Sequence, residues 1–323
     1  MGPVKIIDMI RKPVIIGIKS YKLTQKEKKV IRDQRPWGII LFQRNIKSFE
    51  QVKKLTNEIR NCIRDPYYPI MIDEEGGKVS RFSKLVNTKE FSQKFFGSVY
   101  EKDFKNGKNI YEYYLNSICS VLKSTGININ TVPVMDLLHK STHKIIKDRS
   151  YSKKINTIKS LGRICINILK KNKIASVAKH IPGHGKTNTD SHVKKPIIYD
   201  NLKKLNSNDF SAFKNLNSHF VMTAHVLYKK IDPLFVATQS KIIIKNIVRN
   251  KLKFKGLIIS DDICMRALKG DLIFNAKKTL ESGCNLILYC RANINEASKI
   301  LKSFNKIDKF TLKKTQQLYQ FLR

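Results

Sequence analysis

Eight short apolar runs recur along this chain, and they constrain its fold more than any other feature of the sequence. They lie at residues 14–18, 38–42, 69–72, 127–135, 174–178, 220–223, 257–260 and 285–289. Most are continuously apolar, which is typical of parallel strands in a sheet covered on both faces. The intervals between them are long enough for the crossover helices that parallel strands require. The pattern therefore predicts an α/β fold, a (β/α)8 TIM-type barrel.

Two of the intervals carry clear helix signals. Residues 48–51 can form a capping box, and the residues after it are apolar at helical spacing: Val52, Leu55, Ile59 and Ile63. The interval between the fourth and fifth runs has a similar stripe: Ile155, Ile158, Leu161, Cys165 and Leu169. No linker, low-complexity tract or internal repeat divides the 323 residues, so we expect a single domain over residues 1–323.

The chain is strongly basic, with 63 lysines and arginines against 25 acidic residues and a formal net charge of +38. The basic residues are spread along nearly every segment, and the sequence has no zinc-finger, RNA-binding or recognition-helix pattern. We therefore expect no specific nucleic-acid partner, only salt-sensitive adhesion to polyanions. A catalytically decayed polyanion-binding protein is the alternative from a different functional class.

The sequence predicts a cytoplasmic protein without membrane insertion. Its first residues lack the apolar region of a signal peptide, and charged residues interrupt every stretch before it reaches the roughly 20 residues of a membrane span. The six cysteines are scattered without a Cys-x-x-Cys pair, which favours reduced thiols. The sequence gives no indication of an oligomeric state.

Polar residues follow five of the apolar runs. They are Asp73 to Gly77 after the third run, Asp136 after the fourth, Lys179 and His180 after the fifth, His225 after the sixth, and Asp261 and Asp262 after the seventh. In a barrel these side chains would meet at the carboxyl end of the strands, where such enzymes keep their reactive groups. A doubly wound sheet would gather fewer of them, and the sequence has neither Gly-x-Gly-x-x-Gly nor a Walker loop.

Residues 178–192 are the densest polar segment, because three histidines, a carboxylate and two lysines follow one apolar run. His180 and His184, four positions apart, could hold a metal with Asp190 if they shared a helix face. Pro182 and the adjacent Gly183 disfavour that helix, so we expect no metal site and favour a catalytic loop. A hydrogen-bonded structural loop is the other alternative.

Five segments resemble, in order, the motifs of single-domain bacterial glycoside hydrolases of family 3. The segments are residues 72–81, 148–151, 179–192, 222–225 and 259–262, and the similarity continues through residues 36–42 and 283–288. Such enzymes are β-N-acetylhexosaminidases of cell-wall recycling. The resemblance implies a barrel without a second domain, no metal or organic cofactor, and an amino-sugar glycoside from peptidoglycan fragments as substrate.

The resemblance also implies roles for individual residues. Asp261 would be the nucleophile that forms a covalent glycosyl-enzyme, and His192 would be the general acid and base, oriented by Asp190. The residues expected to hold the sugar are Asp73, Arg81, Arg149, Lys179 and His180. From the pattern alone, residues 260–262 could instead cap the helix that follows, with Asp262 as a helix-start residue.

Several positions depart from the family pattern. Lys186 stands where aspartate is common, Glu74 where glutamine is common and Lys78 where arginine is common, and residues 82–87 replace a proline-rich segment. None of these changes removes a predicted reactant. We therefore expect a retaining exo-β-N-acetylglucosaminidase, with a β-N-acetylglucosaminide phosphorylase as the close alternative.

Overall fold

A computed structural model describes residues 10–187 and 195–323 of the chain. Within these ranges eight parallel strands close into a barrel, in which each strand pairs with its neighbour in chain order and the last pairs with the first. The barrel strands are β1 (Lys12–Gly17), β2 (Pro36–Leu41), β3 (Ile70–Ile72), β4 (Ile129–Asn130), β5 (Ala175–Ile181), β7 (Phe220–Thr223), β9 (Leu257–Asp262) and β10 (Leu286–Tyr289). Two short strands, β6 (Ile197–Ile198) and β8 (Leu227–Tyr228), pair outside the barrel. The predicted (β/α)8 barrel is confirmed.

Helices fill the intervals between the barrel strands. The described helices are α1 (Gln25–Gln34), α2 (Phe49–Ile63), α3 (Gln93–Lys102), α4 (Phe104–Ser124), α5 (Lys144–Lys147), α6 (Ile155–Lys171), α7 (Leu202–Ser207), α8 (Leu272–Glu281), α9 (Ile294–Lys302) and α10 (Lys309–Leu322), with a π-helical segment at Ile243–Lys251. No described helix has the length and apolar character needed to cross a membrane.

The predicted capping box before α2 forms only in part. The Ser48 hydroxyl accepts the backbone N–H of Gln51 at 3.2 Å, as expected. The Gln51 side chain, however, accepts the N–H of Lys47 at 2.8 Å rather than that of Ser48. The helix still begins at the predicted position. Ser48 caps one of its free N–H groups, and burial of Val52, Leu55 and Ile59 stabilises it.

The predicted fourth strand, residues 127–135, is wrong in length, since only Ile129–Asn130 is a strand. Pro133 has no N–H for a ladder, and the side chains of Asn128 and Asn130 hydrogen-bond to backbone groups of the neighbouring β3 segment. Asn128 accepts the N–H of Ile70 at 2.8 Å, and Asn130 accepts that of Glu74 at 3.0 Å. After the short strand the chain contacts β5 again through a single bridge between Val134 and Lys179, and the buried Asp136 follows it.

The barrel interior is an apolar plug made by alternate residues of the strands. Its buried members include Ile15, Ile40, Met71, Val177, Met222, Ile259 and Leu288. Trp37 and Phe220 meet edge to face, with ring centroids 5.6 Å apart. The intervening strand residues face the helices and join a second cluster. Because apolar side chains fill the interior, the polar strand ends lie together above it.

Candidate active site

The predicted polar convergence at the carboxyl end of the barrel is confirmed, since a cavity of about 330 Å³ opens there. Six of the residues singled out in the sequence line it: Asp73, Arg81, Arg149, Lys179, His180 and Asp261. Asp190 and His192 lie outside the described residues. A larger cavity of about 540 Å³ lies at the opposite end, near Phe220 and Leu257. Enzymes of this fold place their chemistry at the carboxyl end, so the smaller cavity is the candidate site.

Asp73, just after β3, is held by two cations and a hydroxyl. Arg81 Nη2 lies 2.8 Å from Asp73 Oδ2, and Lys179 Nζ lies 3.1 Å from Asp73 Oδ1. Thr131 donates its hydroxyl to the same Oδ1. Burial acts to raise the pKa of Asp73, but Lys179 and Arg81 outweigh it and hold this pKa well below its ordinary value. The carboxylate is therefore ionised and fixed in orientation.

Glu75 pairs with Arg149 and shares Lys179 with Asp73, although the sequence predicted no role for Glu75. Arg149 Nε and Nη2 donate to its two oxygens at 2.8 and 2.9 Å, and Lys179 Nζ lies 2.6 Å from Oε1. Burial opposes ionisation, but Arg149 and Lys179 lower the pKa of Glu75 to about 2. The sequence signal that could have identified Glu75 is its position in the polar segment that begins at Asp73.

His180 is oriented by Asp136, a residue the sequence placed only at a strand end. His180 Nδ1 lies 2.7 Å from Asp136 Oδ2, and the backbone N–H of His184 donates to Asp136 Oδ1 at 2.6 Å. Asp136 is fully buried; burial acts to raise its pKa, but His180 and His184 hold it below the ordinary value. With Nδ1 engaged by the carboxylate, Nε2 of His180 is 3.4 Å from Arg149 Nη2.

Asp261 and Asp262, the last residues of β9, have different environments. Asp262 Oδ1 accepts the backbone N–H groups of Cys264 and Cys290 at 3.1 and 3.2 Å. Burial raises the pKa of Asp262, whereas His225, His180 and the Asp262 N–H outweigh burial and lower that of Asp261. Two adjacent carboxyls with opposite pKa shifts are suited to different roles, and Asp261 is the one held in the charged form.

The alternative in which these residues cap the following helix is wrong. Helix α8 begins at Leu272 and is capped by Asp271, whose side chain accepts the N–H of Phe274. Residues 261 and 262 instead continue strand β9, in which Asp262 aligns with Leu288 of β10. Strand β9 thus places both carboxyl groups at the cavity, and the next helix begins only at Leu272.

His225 is fully buried beneath the site and hydrogen-bonded at both ring nitrogens. Its Nε2 lies 3.0 Å from the carbonyl oxygen of Asp262, and its Nδ1 lies 2.7 Å from the Thr238 hydroxyl. Burial lowers the pKa of His225, and its Nε2–H donates to the carbonyl of Asp262. His225 is thus a buried histidine that supports the end of β9.

Two of the departures from the family pattern form ion pairs. Lys186 pairs with Asp200, which also accepts Lys204 at 3.0 Å. Lys78 lies 3.0 Å from Asp148, beside the predicted sugar-holding residue Arg149. Among the described residues no group of three or more His, Cys, Asp or Glu side chains is arranged to hold a metal ion.

Comparison with known proteins identifies the family of this chain. The profile of the glycosyl hydrolase family 3 N terminal domain matches residues 4–317. The β-hexosaminidase of Nitrosospira multiformis is 31% identical over 294 residues, which cover 90% of this chain and 82% of that protein. The β-hexosaminidase of Neisseria meningitidis serogroup B is 32% identical over 286 residues, covering 87% of this chain and 78% of that protein.

A solved structure supports the same assignment. NagZ from Neisseria gonorrhoeae in complex with N-trifluoroacetyl-D-glucosamine superposes with a TM-score of 0.87 at 29% identity, covering 96% of this chain and 90% of that chain. The predicted family and the predicted β-N-acetylhexosaminidase type of enzyme are thereby confirmed. This chain belongs to glycosyl hydrolase family 3.

Proposed function

We propose that the protein is a retaining exo-β-N-acetylglucosaminidase that removes terminal β-linked N-acetylglucosamine from peptidoglycan fragments. One observation carries the proposal: an ionised Asp261 borders a small cavity with the ion-paired Asp73, Arg81, Arg149 and Lys179. The cavity volume, about 330 Å³, lies near the lower end for ligand sites and suits one sugar ring. We extend the proposal to residues 1–323 as one catalytic domain.

In this mechanism Asp261 attacks the anomeric carbon while the bond to the leaving oxygen breaks. A carboxylate suits the step because its charge stabilises the oxocarbenium-like transition state before the new bond forms. The N–H of Asp262 donates to Asp261 Oδ1 at 2.8 Å, which orients the carboxylate and supports its ionised form. Water then attacks the same carbon and releases the enzyme carboxylate, so the configuration is retained.

The substrate-holding role belongs to the residues already paired in the cavity. Asp73 accepts hydrogen bonds from sugar hydroxyls, while Arg81, Arg149, Lys179 and His180 donate to ring substituents and the acetamido oxygen. Their mutual ion pairs fix these side chains before a substrate arrives, which lowers the entropy lost on binding. The N-trifluoroacetyl-D-glucosamine in the Neisseria gonorrhoeae NagZ structure supports an N-acylated amino sugar as ligand.

Proton transfer to the leaving oxygen is assigned to His192, with Asp190 as its partner. Imidazole has an ordinary pKa near 6.5, so it can give a proton in the first step and take one from water in the second. These two residues lie outside the described part of the chain, and their assignment rests on the sequence motif.

We place the enzyme in the cytoplasm, since all six cysteines are free thiols.

Phosphorolysis is the close alternative, in which phosphate replaces water in the second step. Arg81, Arg149 and Lys179 each pair with Asp73 or Glu75, so these two carboxylates offset most of the positive charge of the three cations. That pairing favours water over an anion as acceptor.

One assay tests the proposal and its alternative together. The protein is incubated with an aryl β-N-acetylglucosaminide with and without phosphate, and the sugar product is identified with its anomeric configuration. We expect free N-acetylglucosamine, first as the β-anomer, in both conditions. A phosphate-dependent sugar phosphate would establish a phosphorylase, release as the α-anomer would exclude retention, and no turnover would contradict the enzyme assignment.

A further inference from the structure

Glu74 differs from the acids on either side of it because it is buried without a cation. Asp73 and Glu75 are both paired with arginine and lysine, whereas Glu74 forms no ion pair with any described residue. Glu74 is only 3% exposed to solvent. Burial without a cation disfavours the charged form of a carboxyl group.

Both backbone hydrogen bonds of Glu74 go to one carboxyl oxygen, and burial outweighs their lowering effect on its pKa. Oε2 accepts the backbone N–H of Arg81 at 2.8 Å and that of Phe82 at 3.1 Å. Oε1 is buried and accepts no hydrogen bond from the described residues. The Ser80 hydroxyl lies close enough to Glu74 to influence its pKa, and the Tyr114 hydroxyl in the same environment is buried without a hydrogen-bond partner among the described residues. A proton on Oε1 gives the carboxyl a donor toward these hydroxyl oxygens.

The contact with the Arg81 backbone connects Glu74 to the cavity. Arg81 carries its guanidinium 2.8 Å from Asp73, and its own N–H is held by Glu74 Oε2. Glu74 thus fixes the base of a side chain whose tip is proposed to hold the sugar. Asn130 fixes the other side of Glu74, accepting its N–H at 3.0 Å and donating to its carbonyl at 2.9 Å.

We propose that Glu74 is a positioning residue that acts as a neutral carboxyl, and that its ionisation displaces Arg81 and weakens substrate binding. The inference rests on the proposed function for the role of Arg81. Burial raises the pKa of Glu74 and outweighs the hydrogen bonds from Ser80, Phe82 and Arg81, with the Arg81 charge as a further opposing effect. An ionised Glu74 would compete with Asp73 for the Arg81 guanidinium, whose Nε is buried and has no described hydrogen-bond partner.

Other titratable groups surround this position, and the test must separate them. Asp73 and Glu75 flank Glu74 in sequence, Lys179 and Arg149 pair with those two acids, and Tyr114 of α4 lies behind the loop. The variant Glu74→Gln removes only the titration at this site. A glutamine Oε1 can accept both backbone N–H groups, and its NH2 replaces the carboxyl proton as donor.

The kinetic test measures KM and kcat of the wild type and of Glu74→Gln between about pH 5 and pH 9. We expect the wild-type KM to rise by about tenfold relative to the variant as Glu74 ionises, the effect of losing one hydrogen bond to a charged group. The kcat ratio should change much less. Glu281→Gln, at the exposed end of α8, is the matched control and should follow the wild-type profile.

A spectroscopic measurement tests the protonation state without turnover. The infrared difference spectrum between the wild type and Glu74→Gln at neutral pH should contain the C=O band of a neutral carboxyl group. A carboxylate band instead, or an equal rise of KM with pH in both proteins, would overturn the inference. If the wild type hydrolyses no amino-sugar glycoside, the positioning role falls with the proposed function, while the infrared band still reports whether Glu74 is neutral.

Discussion

Arg149 and Glu75 form a bidentate ion pair between two different loops of the barrel, with N to O distances of 2.8 and 2.9 Å. The Arg149 side chain is 15% exposed and that of Glu75 is 1% exposed. Glu75 follows β3 and Arg149 follows α5, so the pair fixes two separate segments against each other. Lys179 of β5 joins them. The site is therefore organised by its own charges, and its chemistry and stability are coupled.

The first prediction concerns this pair. Glu75→Gln leaves the buried Arg149 and Lys179 with a neutral partner, so the free energy of unfolding should fall by about 3 kcal/mol, a typical cost of breaking a buried pair. Urea unfolding measures the loss, with the exposed Glu281→Gln as the control that should change little. An unchanged midpoint for Glu75→Gln would show that the pair contributes nothing to stability.

The second prediction is the pH dependence of that contribution. The pKa of Glu75 is lowered to about 2 in the folded protein, below the ordinary value for glutamate. A depressed carboxyl pKa stabilises the folded state fully above the unfolded pKa, and the contribution disappears as pH falls through about 2. The stability difference between wild type and Glu75→Gln should therefore shrink between about pH 5 and pH 2. A constant difference across that interval would contradict the assignment.

The third prediction tests the nucleophile. Asp261→Asn should lower kcat by about 10⁴-fold or more while the protein still folds and binds ligand. Asp262→Asn is the matched control, because its Oδ1 can still accept the N–H groups of Cys264 and Cys290, and its loss should be far smaller. A slowly released fluorinated substrate should label a peptide containing Asp261, identified by mass spectrometry. Attachment to another carboxylate would refute the assignment.

The fourth prediction concerns the proposed acid. His192→Ala should slow substrates with poor leaving groups far more than activated aryl glycosides, because an acid stabilises only the charge that develops on the leaving oxygen. Asp190→Ala should show a weaker form of the same trend. Rates across aryl glycosides of graded leaving-group pKa give the slope, and an unchanged slope in His192→Ala would remove His192 from this role.

The fifth prediction concerns the net charge of +38. If the excess lysine has no selected nucleic-acid partner, affinity for DNA should be independent of sequence and fall steeply with salt, since counterion release drives such binding. Fluorescence anisotropy with several unrelated duplexes at increasing salt measures both properties. Strong preference for one sequence at physiological salt would establish a specific partner instead.

The sequence by itself determined the barrel, the family and the end of the barrel where the polar residues gather. Apolar runs at regular intervals require parallel strands covered by helices, and residues that follow such strands meet at one edge because all the strands point the same way. Asp73, Lys179, His180 and Asp261 line one cavity for that reason, whereas the loops after β3 and α5 bring Arg81 and Arg149 to it.

The tertiary structure alone decided which polar residues act together. Glu75 pairs with Arg149, which is 74 positions away in the chain, and Asp136 pairs with His180, which is 44 positions away. No local sequence pattern encodes such pairs. The tertiary structure also set the ends of two strands, because contacts with neighbouring segments override local preference. Strand β4 ends at Asn130, where side-chain amides bind backbone groups, and β9 continues to Asp262 beside the neighbouring strand. The different states of Asp261 and Asp262, identical in chemistry and adjacent in sequence, follow from burial and hydrogen bonds that only the folded barrel supplies.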